Sequence, residues 1–377
     1  MGNSIQNILP QNIAQALCHT LLQSLWEGLL LALLTGLIII LTRNFRAALR
    51  YRLLVGALLT YTVVVSITLV WDLNSMADGS FNLAIFYSTG QDNFMSALVS
   101  SFNLVLKNAH EHAGMVTGIW LILVVLQNVR LLFGLYVMER LKRVKVKPAE
   151  RFWQVKAENL GRKLGIRQAV LLLESAIAKV PLVIGYLKPM LLIPVGLINS
   201  LEPAQVEAIL LHELAHIRRK DYLVNILQTI LETLFFFNPA VLWLSRQIRT
   251  ERENCCDDMV VNNTQNQIGY IQALVHFEEY RMASPRKALA LTGMPGSMLA
   301  RLDRLLARKN RSLGKLELAV LALVLLLSTV FIAVSPRPPV TSLLKTQHSG
   351  TSSNSKNLEA KKKAEAAARK SHREPSP

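Results

Sequence analysis

Residues 208–221 read AILLHELAHIRRKD, which sets His212 and His216 four positions apart with Glu213 directly after the first of them. Side chains four apart share one face of an α-helix. Two imidazole nitrogens can then reach one divalent ion, while Glu213 points toward the open coordination position where an attacking water binds. The chemistry is metal-assisted hydrolysis, with His212 and His216 as zinc ligands and Glu213 as general base. The helix is otherwise apolar (VEAILLHELAHI). Unpaired polar groups on such a helix are costly to bury, and a metal accounts for them.

A catalytic zinc takes three protein ligands. The run ERENCCDD, residues 251–258, supplies candidates. Glu253 and Asp257 are four apart and share a helix face, so that one carboxylate can bind the metal while the other orients a ligand histidine from behind. Glu251 stands about 200° around the helix from Glu253 and is expected to be solvated. Cys255 and Cys256 are soft donors, but both are expected to pack in the core.

Several elements must position these groups. RFWQVKAENLGRKLGI (151–166) reads as an amphipathic helix ended near Gly165. AVLLLES (169–175), VPLVIGYL (180–187) and MLLIPVG (190–196) read as two or three strands of a small sheet. Ser200, Glu202 and Pro203 open the helix that carries the histidines. Residues 222–249 form two helices broken at Pro239. Residues 249–262 form a further helix.

The surrounding chain is that of a membrane protein. Of 377 residues, 51% are hydrophobic and 18% charged, against about 25% charged in a soluble protein. Apolar runs at 25–42, 53–71, 114–138 and 316–334 are near the roughly 20 residues needed to cross a bilayer. Segments 43–52, 139–147 and 301–315 are strongly basic. The positive-inside rule puts them in the cytoplasm. The N-terminal segment 1–24, the loop 72–113 and the tail 335–377 then lie outside, and residues 139–311 form a cytoplasmic domain. The tail is rich in Pro, Ser, Lys and Ala and is expected to be disordered. The net charge of +17 is assigned to the lipid surface, not to nucleic acid. Three cysteines give no disulfide framework.

The stretch 212–258 resembles the metallopeptidase core of the BlaR/MecR family, the bacterial beta-lactam sensor-transducers and their antirepressor relatives. The matching marks are H-E-x-x-H followed by RRKD, the FNP break at 237–239, and an E-x-x-C-D-D run. The Gly185 and Pro189 spacing and the order of three spans, domain and fourth span agree with it, over roughly residues 20–335. The resemblance implies a mainly α membrane protein with four transmembrane helices and a cytoplasmic α+β gluzincin-like zinc peptidase domain. It implies one Zn2+ per chain, held by His212, His216 and Glu253, with Glu213 as base and Asp257 behind a ligand histidine. The chain departs from the family at its C-terminus. About forty mostly polar residues stand where the sensor-transducers carry a large penicillin-binding domain.

The expected function is that of a zinc endopeptidase in the bacterial inner membrane. It hydrolyses a cytoplasmic or membrane-proximal protein, such as a transcriptional repressor or itself, during signal transduction. Val183 and Gly185, on an apolar strand, are expected to hold the substrate as an added strand. The alternative is a non-catalytic transducer whose zinc-bound domain only binds a partner. Glu213 argues against it, because a structural zinc needs no base. Homo-oligomer formation is left open.

Overall fold

The computed structural model describes residues 10–77, 104, 107–185, 188–283, 297–307, 310 and 312–334. Two compact units divide the chain. The first, residues 1–83 and 106–328, contains every site discussed below. The second, 84–105 and 329–377, contributes Leu104 and the last turns of one helix among the described residues. The tail 335–377 and most of the loop 72–113 lie outside them.

The protein is mainly helical. Three long apolar helices come first: α1 (Gln11–Leu41), α2 (Ala47–Ala77) and α3 (Ala113–Arg143), of 31 residues each. They are the helices among the described residues that are long and apolar enough to cross a membrane. Each outruns its apolar stretch. Helix α1 starts at Gln11 instead of Leu25, so residues 11–24 are helix and not a connecting segment. An uncharged polar stretch such as QNIAQALCHT carries no stop signal, and the helix continues through it.

A small domain follows: β1 (Val146–Pro148), α4 (Arg151–Lys163), β2 (Leu171–Ser175), β3 (Leu182–Ile184), β4 (Met190–Pro194) and α5 (Leu197–Ser200). The sheet has four strands in the order β1-β2-β4-β3. The pair β2–β4 is parallel, and the two flanking pairs are antiparallel. Strand β1 was not foreseen, since three residues ending in proline show no alternation. Gly185 follows β3 at φ +98°, where a Cβ would meet the Lys188 carbonyl oxygen at 2.6 Å. Only glycine makes this return.

The helical part comprises α6 (Pro203–Arg219), α7 (Asp221–Leu234), α8 (Pro239–Thr264), α9 (Gln267–Ala283), α10 (Ser297–Ala307) and α11 (Lys315–Val334). Helix α6 opens with a capping box between Glu202 and Gln205, with Pro203 at its first position. The side chains exchange bonds with otherwise orphaned backbone N–H groups. Residues 249–262 are not a separate helix: α8 runs unbroken for 26 residues, about 39 Å. It crosses two cores. Val241, Leu244 and Ile248 pack with Leu54, Leu58 and Tyr61 of α2. Further on, Val260 joins Leu210, Leu211 and Leu214 of α6 and Leu172, Leu191 and Ile193 of the sheet. Helix α7 has 14 residues and is too short to form a crossing. Its Glu232 pairs with Arg249 at 2.7 Å.

The FNP break is an anchor as well as a stop. Asn238 is buried. Its Oδ1 accepts from the backbone N–H of Ala240 (3.0 Å) and Val241 (3.4 Å) and so caps α8. Its Nδ2 donates to the Ser24 carbonyl of α1 at 2.8 Å and to the Tyr61 hydroxyl at 3.2 Å. Gly28 leaves room for this, since a Cβ there would lie 2.5 Å from Asn238 Nδ2. Asn238→Ala is expected to cost about 1–2 kcal/mol through the lost cap. Gly28→Val should have a similar effect by displacing the same side chain. Unfolding midpoints of the detergent-solubilised protein check both, and unchanged midpoints would mean that the cap contributes nothing.

Candidate metal centre

Helix α6 presents His212 and His216 on one face, their ring centroids 5.0 Å apart. Glu253 of α8 meets them from across the domain. Its Oε2 lies 3.4 Å from His212 Nε2 and 3.9 Å from His216 Nε2. One ligand atom from each of the three residues falls within 4.8 Å of the others. Metal–nitrogen and metal–oxygen bonds of about 2.0–2.1 Å in a tetrahedron put ligand atoms roughly 3.3 Å apart. The observed spacing is near that value, and two nitrogens with one carboxylate oxygen suit a divalent ion.

Each imidazole is held from behind through Nδ1. The Tyr270 hydroxyl of α9 donates to Asp257 Oδ1 at 2.7 Å and lies 3.0 Å from His212 Nδ1. With its proton engaged, the hydroxyl accepts from Nδ1–H. Asp257 Oδ1 is itself 3.3 Å from the same nitrogen. His216 Nδ1 is 2.9 Å from Asp221 Oδ2. These partners favour a proton on Nδ1 of both rings and leave each Nε2 facing Glu253, the nitrogen that would bind a metal. Asp221 reaches His216 because Lys220 bends the chain at φ +55° between α6 and α7. Few residues other than glycine adopt this conformation.

The electrostatics agree with the geometry. Burial alone would push the Glu253 carboxyl up, but the His212 hydrogen bond and the His216 and Arg301 charges hold it well below the usual range. Asp257 behaves alike: burial is outweighed by Arg301 and His212. Burial also works against a charged His212, yet its bonds with Asp257 and Glu253 win and raise it to about 9. A bound cation would take the place of that proton.

Of the remaining residues singled out from sequence, Glu213 is half-buried beside His212. Val183 and Gly185 belong to the edge strand β3 and its turn, and β3 lies against α6. Cys255 and Cys256 are buried. Burial raises both thiols, Cys255 to about 12 and Cys256 well above its ordinary value. Cys256 Sγ is 3.4 Å from His216 Nδ1, the nitrogen already bonded to Asp221.

Glu251 corrects the sequence reading. It does face away from Glu253, but it is not solvated. It is 2% exposed and pairs with Arg50 of α2 at 3.1 Å. Arg50, Arg301 and Arg304 belong to segments read as lipid-surface charge, yet Arg50 is buried and the other two are largely enclosed. Arg301 binds Asp257, and Arg304 binds Asp258. Sequence reasoning also gave Asp221 and Tyr270 no role. Asp221, five residues past His216, was the one with a local signal.

An apolar helical bundle joined to such a cluster defines a membrane protein of metallopeptidase type. The chain belongs to the BlaR1 peptidase M56 family, whose model matches residues 47–305. It is 34% identical over 99 residues to the regulatory protein BlaR1 of Bacillus licheniformis, covering 26% of this chain and 16% of that protein. It is 28% identical over 97 residues to the methicillin resistance mecR1 protein of Staphylococcus aureus, covering 25% and 17%. The matched stretch thus spans about a sixth of the length of these relatives. The crystal structure of S. mikatae Ste24p aligns over 82% of this chain and 95% of that one, at 11% identity and a TM-score of 0.25. Family, relatives and apolar helices together make this a bacterial membrane protein.

The Arg50–Glu251 pair yields a sharp expectation. Removing one partner of a buried pair strands a charge and costs about 3–5 kcal/mol, while replacing both with apolar groups is often neutral. Arg50→Met should therefore lower the unfolding midpoint strongly, and Arg50→Met/Glu251→Met should recover most of the loss. Additive losses in the double variant would mean that the two side chains are not a pair in solution.

Proposed function

We propose that the chain is a membrane-embedded zinc-dependent endopeptidase with a gluzincin-like centre, acting on a cytoplasmic or membrane-proximal protein in signal transduction. The observation that carries the reading is the convergence of His212 Nε2, His216 Nε2 and Glu253 Oε2, with buried carboxylates behind both rings. In this reading His212, His216 and Glu253 hold one Zn2+, and Asp257 orients His212. When bound, the ion supplies a water of lowered pKa and a polarised scissile carbonyl. Glu213 accepts the proton of the attacking water and delivers it to the leaving amine. Strand β3, with Val183 at its centre and Gly185 after it, takes the substrate backbone as an added strand at the sheet edge. The names of the relatives suggest a regulatory role, and a transcriptional repressor or the chain itself is the proposed substrate.

Four spans complete the proposal: α1, α2, α3 and α11. The domain from 139 to 311 is cytoplasmic, and the tail lies outside. Arg43, Arg46 and Arg52 are exposed and support this orientation after Arg50 is set aside.

His216→Ala should lose most of the bound zinc. Glu213→Ala should retain about one Zn2+ per chain, as a three-ligand catalytic site implies, and lose cleavage. Glu253→Gln should weaken zinc binding, whereas Glu251→Gln should lower stability and leave the metal in place. Metal analysis beside a cleavage assay checks these outcomes. Equal metal loss in Glu213→Ala and His216→Ala would make Glu213 a ligand and overturn its assignment as base.

Orientation is tested by labelling. With an impermeant thiol reagent, Ser353→Cys should react in intact cells. Asn262→Cys, on the exposed end of α8, should react only after permeabilisation. Labelling of Asn262→Cys from outside would place the domain on the other face and exclude a cytoplasmic substrate.

A further inference from the structure

The ligands and their partners leave the guanidinium of Arg301 without a role. It enters from α10 and contacts both acids of the α8 face. Its Nε donates to Asp257 Oδ2 at 3.0 Å and its Nη2 to Asp257 Oδ1 at 2.6 Å. Nη2 also lies 3.3 Å from the Tyr270 hydroxyl, and Nη1 lies 4.0 Å from Glu253 Oε2. The Arg301 side chain is 15% exposed, and the Asp257 side chain is wholly buried.

Glu253 and Asp257 need such a partner. Like charges four apart on a helix repel even at a solvated surface. In an enclosed site the repulsion is stronger, and without a cation between them the two carboxylates are driven apart. A rotated Asp257 would release the Tyr270 hydroxyl and His212 Nδ1. An arginine fork sets both the charge and the plane of the carboxylate, whereas a lysine sets only the charge.

We propose that Arg301 is a positioning residue of the metal centre: its fork fixes Asp257 against Tyr270 and His212, and its charge keeps Glu253 and Asp257 side by side. This inference rests on the reading of His212, His216 and Glu253 as metal ligands. The next turn of α10 provides an internal control. Arg304 Nη2 grips Asp258 Oδ1 and Oδ2 at 2.8 and 2.9 Å, and the Arg304 side chain is 11% exposed. Arg304 fastens the same helix to α8 through an acid that touches neither histidine.

The test is Zn2+ affinity, measured by competition with a chromophoric chelator on the full-length detergent-solubilised protein, with unfolding midpoints of the metal-free variants alongside. Arg301→Met should weaken Zn2+ binding about 10- to 100-fold, the usual effect of removing a partner behind the ligands. Arg301→Lys should fall between Arg301→Met and wild type. Arg304→Met should lower the unfolding midpoint yet bind Zn2+ within about twofold of wild type, as sites without shared partners behave independently. Equal affinity losses at positions 301 and 304 would assign Arg301 to helix clamping alone and overturn the inference. So would an Arg301→Met protein that binds as tightly as wild type. Should Arg301→Met fail to fold, Arg301→Lys against Arg304→Lys makes the same comparison. A wild-type chain that takes up no Zn2+ overturns the metal reading itself, an outcome distinct from wild-type binding that Arg301 does not influence.

Discussion

Buried negative charge is the constraint around which this molecule is arranged. Helix α8 carries Glu251 and Asp257, both buried, and the partly exposed Glu253 and Asp258 within eight residues, and the buried Asp221 approaches from α7. An isolated carboxylate in such surroundings is too costly to keep ionised, so each must meet a cation or several donors. The partners come from several elements. Arg50 comes from α2, Arg219 from the end of α6, and Arg301 and Arg304 from α10. The two histidines complete the set. The helices around α8 pack through two apolar cores, and α2, α6 and α10 each also bring an arginine to one of these acids.

The membrane helices are thereby part of the site's framework. Arg50 reaches the α8 helix two residues before Glu253, and Tyr51 Oη lies 3.5 Å from Asp221 Oδ1. The Arg219 guanidinium covers the Tyr51 ring at 4.5 Å while its Nε bonds Asp221. One turn of α2 therefore contacts both helices that carry the proposed ligands. The family match begins at residue 47, the first residue of α2, and ends at 305, within α10. Those limits enclose the helices that supply Arg50, Arg301 and Arg304. A definition of the peptidase unit that began after α3 would omit the partner of Glu251.

What could be read from the sequence was local. The i, i+4 spacing of His212 with His216 and of Glu253 with Asp257 and the break at Asn238-Pro239 act within a few residues, and each has its structural counterpart. Pairings across the chain left no such trace. Arg301 and Asp257 are 44 residues apart, and nothing in RLDRLLARKN separates an enclosed arginine from one at a lipid surface. Arg50 was misread for the same reason, and Glu251 with it, since a polar position on a helix reads as solvated until a neighbour is known to cover it. The hidden partners are the arginines, because long aliphatic stems let a charge counted as topological reach a buried acid.

The same arrangement gives each of the three proposed ligand side chains a support from the protein. His212 is fixed by Tyr270 and Asp257, His216 by Asp221, and Glu253 by its helix and the cations beside it. If His212, His216 and Glu253 hold a metal as proposed, the ion would displace protons from the imidazoles, and affinity would fall as pH drops. In that reading, affinity depends on the side chains that hold the proposed ligands from behind: Tyr270, Asp221 and, through Asp257, Arg301.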